Sequence, residues 1–442
     1  MTCARLSANR LTRTELWLTV LPLLLAPSAA LAAGHRAAHK GSQHSVKLTT
    51  FPQSEPAPSP AQTAPGGAQV AVAEPIYDPS GKALAAWNSA VLRAKSHKGQ
   101  ARAAFYGASH TAADLWTGEL RRMWQTELGE AGHGFMLPSK WNLGYRQQDL
   151  VVDASPGWQI LRHKREMGAA IGEYGLLGVA MQSANPNDFA EIRTTHDNPI
   201  GRKFDQLEVW LQPQVGGGSL RVVIDGHETV LQTSEKAEPY ATFKLADTPH
   251  VVRLQPLGDG PVLLYGVVAE RSAPGIILDQ LGIPGMRAEI LLHWTEARWA
   301  EQLRRRNPDL VVLAYGTNDV TEDAETIDHY LADWRKVIAM VKRAAPNAAC
   351  LIVGPTDRLV GKGKDRKSAP RTPQIVAAQR QIANETGCAH WDPQRAMGGP
   401  NAMLLWQDLG LAQPDGVHLN RAGYKRMAEL FAAALADPRA PP

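Results

Sequence analysis

The sequence predicts an α/β domain with a parallel sheet, interrupted by an inserted antiparallel β-sandwich. One observation is that apolar, strand-length segments alternate with helix-length segments near residue 100 and again in the second half of the chain. The other is that residues 155–271 contain short β-rich segments separated by turn residues, with no comparable run of helices. Strand–helix alternation is typical of a parallel sheet covered on both faces, and consecutive short strands are typical of a sandwich.

Short apolar segments define the predicted parallel sheet. They are residues 103–106, 275–278, 310–314, 351–353 and 389–391. Helices are predicted at residues 82–95, 327–344 and 372–386. The first strand precedes the β-rich region and the others follow it. The α/β domain is therefore predicted to comprise residues 81–154 and 272–442, with the sandwich inserted at 155–271.

The inserted region has the pattern of an antiparallel sandwich. Its β-rich segments include residues 207–211, 220–224, 241–245 and 262–265. Turn signals such as Gly216-Gly217-Gly218 and Asp225-Gly226 separate them. Such spacing favours short strands joined by tight turns.

The N-terminal region predicts an exported protein. Three arginines precede an apolar run at residues 16–26, and small residues follow it, so residues 1–32 are predicted to be a signal peptide cleaved after Ala32. Pro22 interrupts the run, which is also too short for stable membrane insertion. Residues 33–80 are rich in Pro and Ala and are predicted to be a flexible linker. We expect a periplasmic or secreted protein.

Charge and cysteine content give no indication of a nucleic-acid-binding or metal-binding protein. Lys and Arg number 47 against 43 Asp and Glu, so the near balance gives no reason to expect nucleic acid as a partner. Cys350 and Cys388 remain after the predicted cleavage. They can form one disulfide or remain two buried thiols, and neither arrangement resembles a metal site. The sequence does not predict an oligomeric state.

Four segments carry residues suited to acyl transfer. Ser109 follows the first predicted strand, at the edge where parallel sheets bind ligands. Asp415 precedes His418 by three residues, a spacing that lets a carboxylate orient an imidazole toward a serine. Asn318 and Gly285 follow other strand ends, where an amide and a backbone N–H can stabilise an oxyanion. Taken singly, the serine suits a helix cap and the glycine segments suit plain β-to-α turns.

In this order the four segments resemble the SGNH (GDSL-type) hydrolase superfamily. The resemblance implies a flavodoxin-like, three-layer domain with Ser109, Asp415 and His418 as catalytic triad. It also implies an oxyanion hole formed by Ser109, Gly285 and Asn318, and it requires no metal and no cofactor. One departure is Ala108, where the family usually has aspartate, which puts the rigidity of the loop in doubt.

A narrower resemblance is carried by residues 109–114, 132–135 and 204–210. These are similar to bacterial peptidoglycan O-acetylesterases that contain an inserted carbohydrate-binding-like sandwich. The resemblance implies a serine esterase that removes O-acetyl groups from an acetylated polysaccharide of the cell envelope, with peptidoglycan as the first candidate. One alternative is an acetylesterase or transacetylase for another exported polysaccharide. The other is a non-catalytic glycan-binding protein with an SGNH shell.

Four further residues are candidates for substrate contacts. Lys364 lies in a basic loop at residues 362–371 that can steer an anionic polymer, although a solvated loop is the simpler interpretation. Trp391 and Trp406 can form a sugar-stacking wall, with core packing as the alternative. His110 follows the predicted nucleophile directly.

Overall fold

The structure is a computed structural model that describes residues 71–164 and 167–436. The predicted signal peptide and most of the predicted linker lie outside the described residues. Within the described ranges, no helix is both long and apolar enough to cross a membrane.

Strands and helices follow in chain order. The strands are β1 Gln100–Gly107, β2 Gly132–Met136, β3 Leu150–Ala154, β4 Gln159–Arg162, β5 Val179–Ser183, β6 Ala190–Thr194, β7 Phe204–Leu211, β8 Ser219–Ile224, β9 His227–Gln232, β10 Tyr240–Thr248, β11 Val251–Pro256, β12 Val262–Glu270, β13 Gly275–Gly282, β14 Leu310–Ala314, β15 Ala349–Val353, β16 Leu359–Val360, β17 Lys367–Ser368 and β18 Ala389–Trp391. The helices are α1 Ala85–Lys95, α2 Ser109–Ala112, α3 Trp116–Leu128, α4 Glu296–Arg306, α5 Ile327–Ala344, α6 Thr372–Thr386, α7 Pro393–Met397, α8 Ala402–Asp408 and α9 Arg421–Ala436.

A parallel sheet with the strand order β13-β1-β14-β15-β18 forms the middle layer of the α/β domain. Successive residues of β1 enter different cores. Phe105 belongs to a buried cluster with residues of α1, α3 and α9, whereas Tyr106 belongs to the cluster that includes residues of α4, α5 and α6. Strand residues point alternately to opposite faces, so two helical layers bury residues 103–107 of this strand. The predicted three-layer α/β fold is confirmed.

Two antiparallel sheets form the inserted sandwich. One has the order β10-β7-β12-β5-β4 with β2 also paired to β12, and the other has the order β3-β6-β11-β8-β9. The predicted insert is therefore present, but its sheets begin earlier than residue 155, because β2 and β3 already belong to them. In β3 the buried residues Leu150 and Val152 alternate with exposed neighbours, the pattern of a half-buried strand.

Cys350 on β15 and Cys388, directly before β18, form a disulfide. Of the two arrangements that the sequence allowed, the structure has the bonded one. The bond joins two neighbouring strands of the parallel sheet near their amino ends.

Candidate active site

Ser109 lies where β1 ends and the short helix α2 begins. Gly107 makes this turn possible, because a Cβ there would lie 2.1 Å from Thr111 Oγ1 and 2.9 Å from the carbonyl oxygen of Ala314. Since β1 lies between β13 and β14, the carboxyl ends of these parallel strands meet at the same edge of the sheet. Open parallel sheets bind their ligands at this edge.

Ser109, His418 and Asp415 form a continuous chain of hydrogen bonds. His418 Nε2 lies 2.8 Å from Ser109 Oγ, and His418 Nδ1 lies 2.7 Å from Asp415 Oδ2. The other oxygen of Asp415 accepts the backbone N–H groups of Val417 and His418, each at 2.9 Å. The tight loop 415–418 therefore orients its carboxylate with its own backbone.

The same loop fixes the charge of Asp415. Partial burial acts to raise the pKa of this carboxyl, but hydrogen bonds from the His418 side chain and from two backbone N–H groups outweigh burial and lower the pKa to about 2. Asp415 is thus ionised at neutral pH. An ionised carboxylate at Nδ1 leaves Nε2 as the nitrogen that can accept the proton of Ser109.

Three possible oxyanion donors lie at this edge. Within the described part of the chain, the N–H groups of Ser109 and Gly285 have no hydrogen-bond acceptor. Gly285 has a φ of +81°, and a Cβ there would meet no atom within 4 Å, so this turn faces open space. Asn318 Nδ2 donates to the carbonyl of Met286 at 2.9 Å, which fixes the amide and leaves its second hydrogen available.

A hydrogen bond also joins the turn that contains Gly285 to β1. Ile283 donates its backbone N–H to the carbonyl of Gly107 at 2.9 Å. Together with the Asn318–Met286 hydrogen bond, this contact brings the three predicted donors to one edge of the sheet. Donors of this kind stabilise a tetrahedral oxyanion when they are held rigidly.

His110 is partly buried, and its ring contacts two other side chains. Its Nδ1 lies 2.8 Å from Tyr424 Oη and its Nε2 lies 3.2 Å from Thr356 Oγ1. Burial, and next the neighbouring His418, lower the pKa of His110 to about 3, so the ring is neutral. Both ring nitrogens of His110 already have protein partners, and its contact with substrate stays a prediction.

Trp391 and Trp406 are core residues. Trp391 is 1% exposed and Trp406 is 0% exposed. Their indole N–H groups donate to the carbonyls of Glu74 at 3.1 Å and Met397 at 3.0 Å. The expected sugar-stacking wall is therefore wrong, since neither ring has a free face for a sugar.

The basic loop contacts the candidate site through Arg366, whereas Lys364 was the residue expected to contact substrate. Lys364 is exposed, and within the described residues it has no hydrogen-bond partner, so its contact with substrate stays a prediction. Arg366 instead donates from Nη2 to the carbonyl of Pro414 at 3.1 Å, directly before the triad acid.

Sequence reasoning did not find Tyr424, Thr356 or Arg358. Arg358 follows β15 and donates from Nη1 to the carbonyl of Thr317 at 2.9 Å, beside Asn318. No motif marks these residues, because their role depends on contacts between distant parts of the chain. The one available signal for Arg358 was its position after the apolar strand 351–353.

One side-chain cluster in the described part of the chain has a spacing that suits a metal ion: Glu325, His329 and Asp333 near the start of α5. Glu325 already forms an ion pair with Arg287 at 2.9 Å. His329 is exposed. We assign no metal to this cluster.

The contacts among Ser109, His418 and Asp415 form a Ser-His-Asp arrangement at the carboxyl edge of the parallel sheet. Residues 256–426 match the model of the GDSL-like Lipase/Acylhydrolase family.

Several solved structures are similar to this chain, and the first described below shares its overall fold. One described as a peptidoglycan O-acetylesterase in action is 23% identical, with a TM-score of 0.69, and the alignment covers 82% of this chain and 98% of the other. A family two carbohydrate esterase from Cellvibrio japonicus is 12% identical over 65% of this chain and 96% of its own, with a TM-score of 0.26. An acetylxylan esterase from Geobacillus stearothermophilus is 25% identical over 37% of this chain and 74% of its own, with a TM-score of 0.28. A search of curated protein sequences gave no match.

Proposed function

We propose that this protein is a serine esterase that removes O-acetyl groups from a cell-envelope polysaccharide, with peptidoglycan as its first candidate substrate. The observation that carries the proposal is the hydrogen-bonded chain Ser109–His418–Asp415 at the carboxyl edge of the parallel sheet. The fold shared with a peptidoglycan O-acetylesterase over 98% of that chain supports the choice of substrate.

The geometry supports an acyl-enzyme mechanism. Ser109 Oγ attacks the acetyl carbonyl while His418 Nε2 accepts its proton, and the ionised Asp415 stabilises the resulting imidazolium. The N–H groups of Ser109 and Gly285, with the Asn318 amide, bind the oxyanion. His418 then gives the proton to the leaving sugar oxygen. Water attacks the acetyl-serine, and acetate leaves.

The first test is Ser109→Ala. This change removes the nucleophile at an exposed strand end, so turnover of an activated acetyl ester should fall by about a millionfold while the protein stays folded. Ser96→Ala is the matched control, because Ser96 precedes the opposite end of β1 and should leave turnover unchanged. Substantial turnover in folded Ser109→Ala protein would refute the mechanism. Absence of turnover in the unaltered protein would instead favour the non-catalytic glycan-binding alternative.

Substrate choice needs a comparison of polymers. Acetate release should be measured from O-acetylated peptidoglycan, acetylated xylan and acetylated alginate, together with any acetylated acceptor that forms. Faster acetate release from xylan or alginate than from peptidoglycan would identify that polymer as the preferred substrate. Acetyl transfer to a sugar hydroxyl in place of acetate release would favour a transacetylase.

We further propose that the protein is periplasmic or secreted and that the sandwich binds glycan beside the active site. The apolar segment at residues 16–26 with its small-residue end supports export. N-terminal sequencing of the exported protein tests this, with Ala33 as the expected first residue. Binding of polymeric glycan to Ser109→Ala protein tests the sandwich, since this variant retains every binding surface.

A further inference from the structure

A half-buried arginine lies between the two loops that carry the catalytic groups. Arg358 donates from Nη1 to the carbonyl of Thr317 at 2.9 Å, in the turn that carries the oxyanion amide. The next residue, Leu359, donates its N–H to the carbonyl of Gly416 at 2.8 Å, in the loop of the triad acid and base. These two contacts hold the guanidinium close enough to Asp415 for their charges to interact.

Two further arginines lie around the same loop. Arg366 donates from Nη1 to Gln407 at 3.2 Å and from Nη2 to the carbonyl of Pro414 at 3.1 Å. Arg421, at the start of α9, donates to the Oε1 atom of Gln148 at 3.4 Å. All the partners of these arginines are neutral oxygen atoms. None of these contacts neutralises the charge of a guanidinium group.

This arrangement differs from the rest of the described chain, where most arginines form ion pairs with carboxylates. Examples are Arg93, Arg102, Arg121, Arg271, Arg306 and Arg380. Within the same described ranges, Arg358, Arg366 and Arg421 form no ion pair. The nearby Asp415 does not neutralise them, because both of its oxygens are occupied by His418 and by the loop backbone.

The missing partner has an energetic consequence for Arg358. Burial lowers the pKa of its guanidinium, and the charge of Asp415 offsets this only in part. Taking a cation partly out of water without an anionic partner costs free energy, and a bound anion recovers that cost. The planar guanidinium matches a carboxylate, to which it can donate two parallel hydrogen bonds.

We propose that Arg358, assisted by Arg366 and Arg421, forms a carboxylate-binding subsite beside Ser109, so that the substrate is an acidic acetylated glycan. This inference rests on the proposed esterase function and narrows its substrate class. It favours polymers that bear carboxylates, such as peptidoglycan with its stem peptides or alginate with its uronic acids, over the neutral backbone of xylan.

The test compares substrates that differ only in the carboxylate. The first pair is an O-acetylated muropeptide and the same compound with its carboxylates converted to methylamides. The second pair is an O-acetylated alginate oligosaccharide and its carboxyl-reduced counterpart. The unaltered enzyme should prefer the acid by about tenfold or more in kcat/KM in at least one pair, the value typical of a hydrogen bond to a charged group. The pair that shows the preference identifies the source of the carboxylate.

Arg358→Gln should reduce this preference to about one, and Arg358→Lys should leave an intermediate value because it keeps the charge but loses the planar fork. Arg335→Gln is the matched control. Arg335 lies on α5, is exposed and is paired with Glu385, so its replacement should leave the preference unchanged. Raising the ionic strength should weaken the preference in the unaltered enzyme.

Equal rates on acid and neutral partners in both pairs, or an unchanged preference in folded Arg358→Gln protein, would overturn the subsite. In that case, loss of activity in Ser109→Ala would still support the esterase mechanism. If no acetyl ester is hydrolysed at all, the esterase proposal fails. Calorimetric binding of the deacetylated acid and neutral compounds then tests the subsite independently, and equal affinities would reject it.

Discussion

Asn318 shows how a neighbouring group can fix the orientation of a side chain. Its amide donates one hydrogen to the carbonyl of Met286 at 2.9 Å, which fixes the orientation of the group before any substrate binds. The other amide hydrogen therefore already has a fixed direction, and the side chain loses no further rotational freedom when substrate binds. An amide held in this way stabilises developing negative charge better than one that must reorient during the reaction.

Asn318→Ala should lower kcat by about a hundredfold or more and leave KM nearly unchanged, because the amide is needed mainly when the oxyanion forms. Steady-state kinetics on an activated acetyl ester provide the measurement. Asn347→Ala, at an exposed asparagine between α5 and β15, is the control and should behave as the unaltered enzyme. A change in KM alone would make Asn318 a binding or structural residue.

For single residues, sequence patterns located the groups that lie in short motifs. Asp415 and His418 could be paired from sequence, because three residues of a tight loop fix their relation. The partners of His110 could not be identified from sequence, since Thr356 and Tyr424 come from distant segments. Arg358 was missed for the same reason. Tertiary contacts determine these roles, and a single sequence does not record them.

The turn after β14 carries both Asn318 and a buried carboxyl group. It runs from Gly316 to Thr321, and the carboxyl group is that of Asp319, directly after Asn318. Asp319 is 1% exposed, and its Oδ2 atom has no hydrogen-bond partner. Burial, followed by the nearby carboxylate of Glu289, raises the pKa of Asp319 to about 8. The native protein therefore keeps this carboxyl protonated where an unfolded chain would release the proton.

The sign of the pH dependence follows from this difference. Between the unfolded pKa of about 4 and the folded pKa, each rise in pH favours the unfolded chain, so the contribution of Asp319 to stability is lost as pH rises through about 8. Asp319→Asn replaces the carboxyl with a neutral group of the same shape.

Asp319→Asn should raise the free energy of unfolding by about 1–3 kcal/mol at pH 9 and by less at pH 5. Urea unfolding at the two pH values measures this, with the exposed Asp323→Asn as control. Equal effects at both pH values would show that Asp319 does not titrate in this range.

Element boundaries were predictable where hydrophobic patterning was strong. The predicted segments 310–314, 327–344, 372–386 and 389–391 coincide with β14, α5, α6 and β18. The start of the sandwich was misplaced, because β2 is a glycine-rich segment whose sheet membership depends on pairing with β12. Local pattern does not reveal which sheet a strand will join.

Across the whole molecule, the sandwich and the α/β domain share one core. Tyr106 of β1 and Trp210 of β7 belong to the same buried cluster. Replacing the insert with a short linker would therefore expose apolar surface of the α/β domain. Substitutions on the exposed faces of the sandwich are the better way to separate glycan capture from catalysis.

A buried ion cluster lies at the junction of the two parts. Arg306 at the end of α4 donates to Asp279 of β13 at 2.7 Å and also pairs with Glu270 of β12. Both carboxylates are nearly inaccessible. Removing the cation would leave two buried negative charges, with only Arg102 still bonded to Glu270.

Arg306→Met should lower the free energy of unfolding by about 3–5 kcal/mol, because buried charges that lose their partner are strongly destabilising. Denaturant unfolding measures the effect. Arg304→Met, at an exposed arginine on the same helix, should change stability by less than about 0.5 kcal/mol. If the two variants unfold alike, the cluster does not hold the parts together.

The strand order also constrains how the protein folds. Both partners of β1 in the sheet, β13 and β14, come after the entire sandwich in the chain. Until the residues that follow the insert are available for folding, this apolar strand has no partner on either edge. An unpaired apolar strand is prone to aggregate. The proposed esterase site forms only when the segments on both sides of the insert come together, because Ser109 precedes the insert whereas Asp415 and His418 follow it.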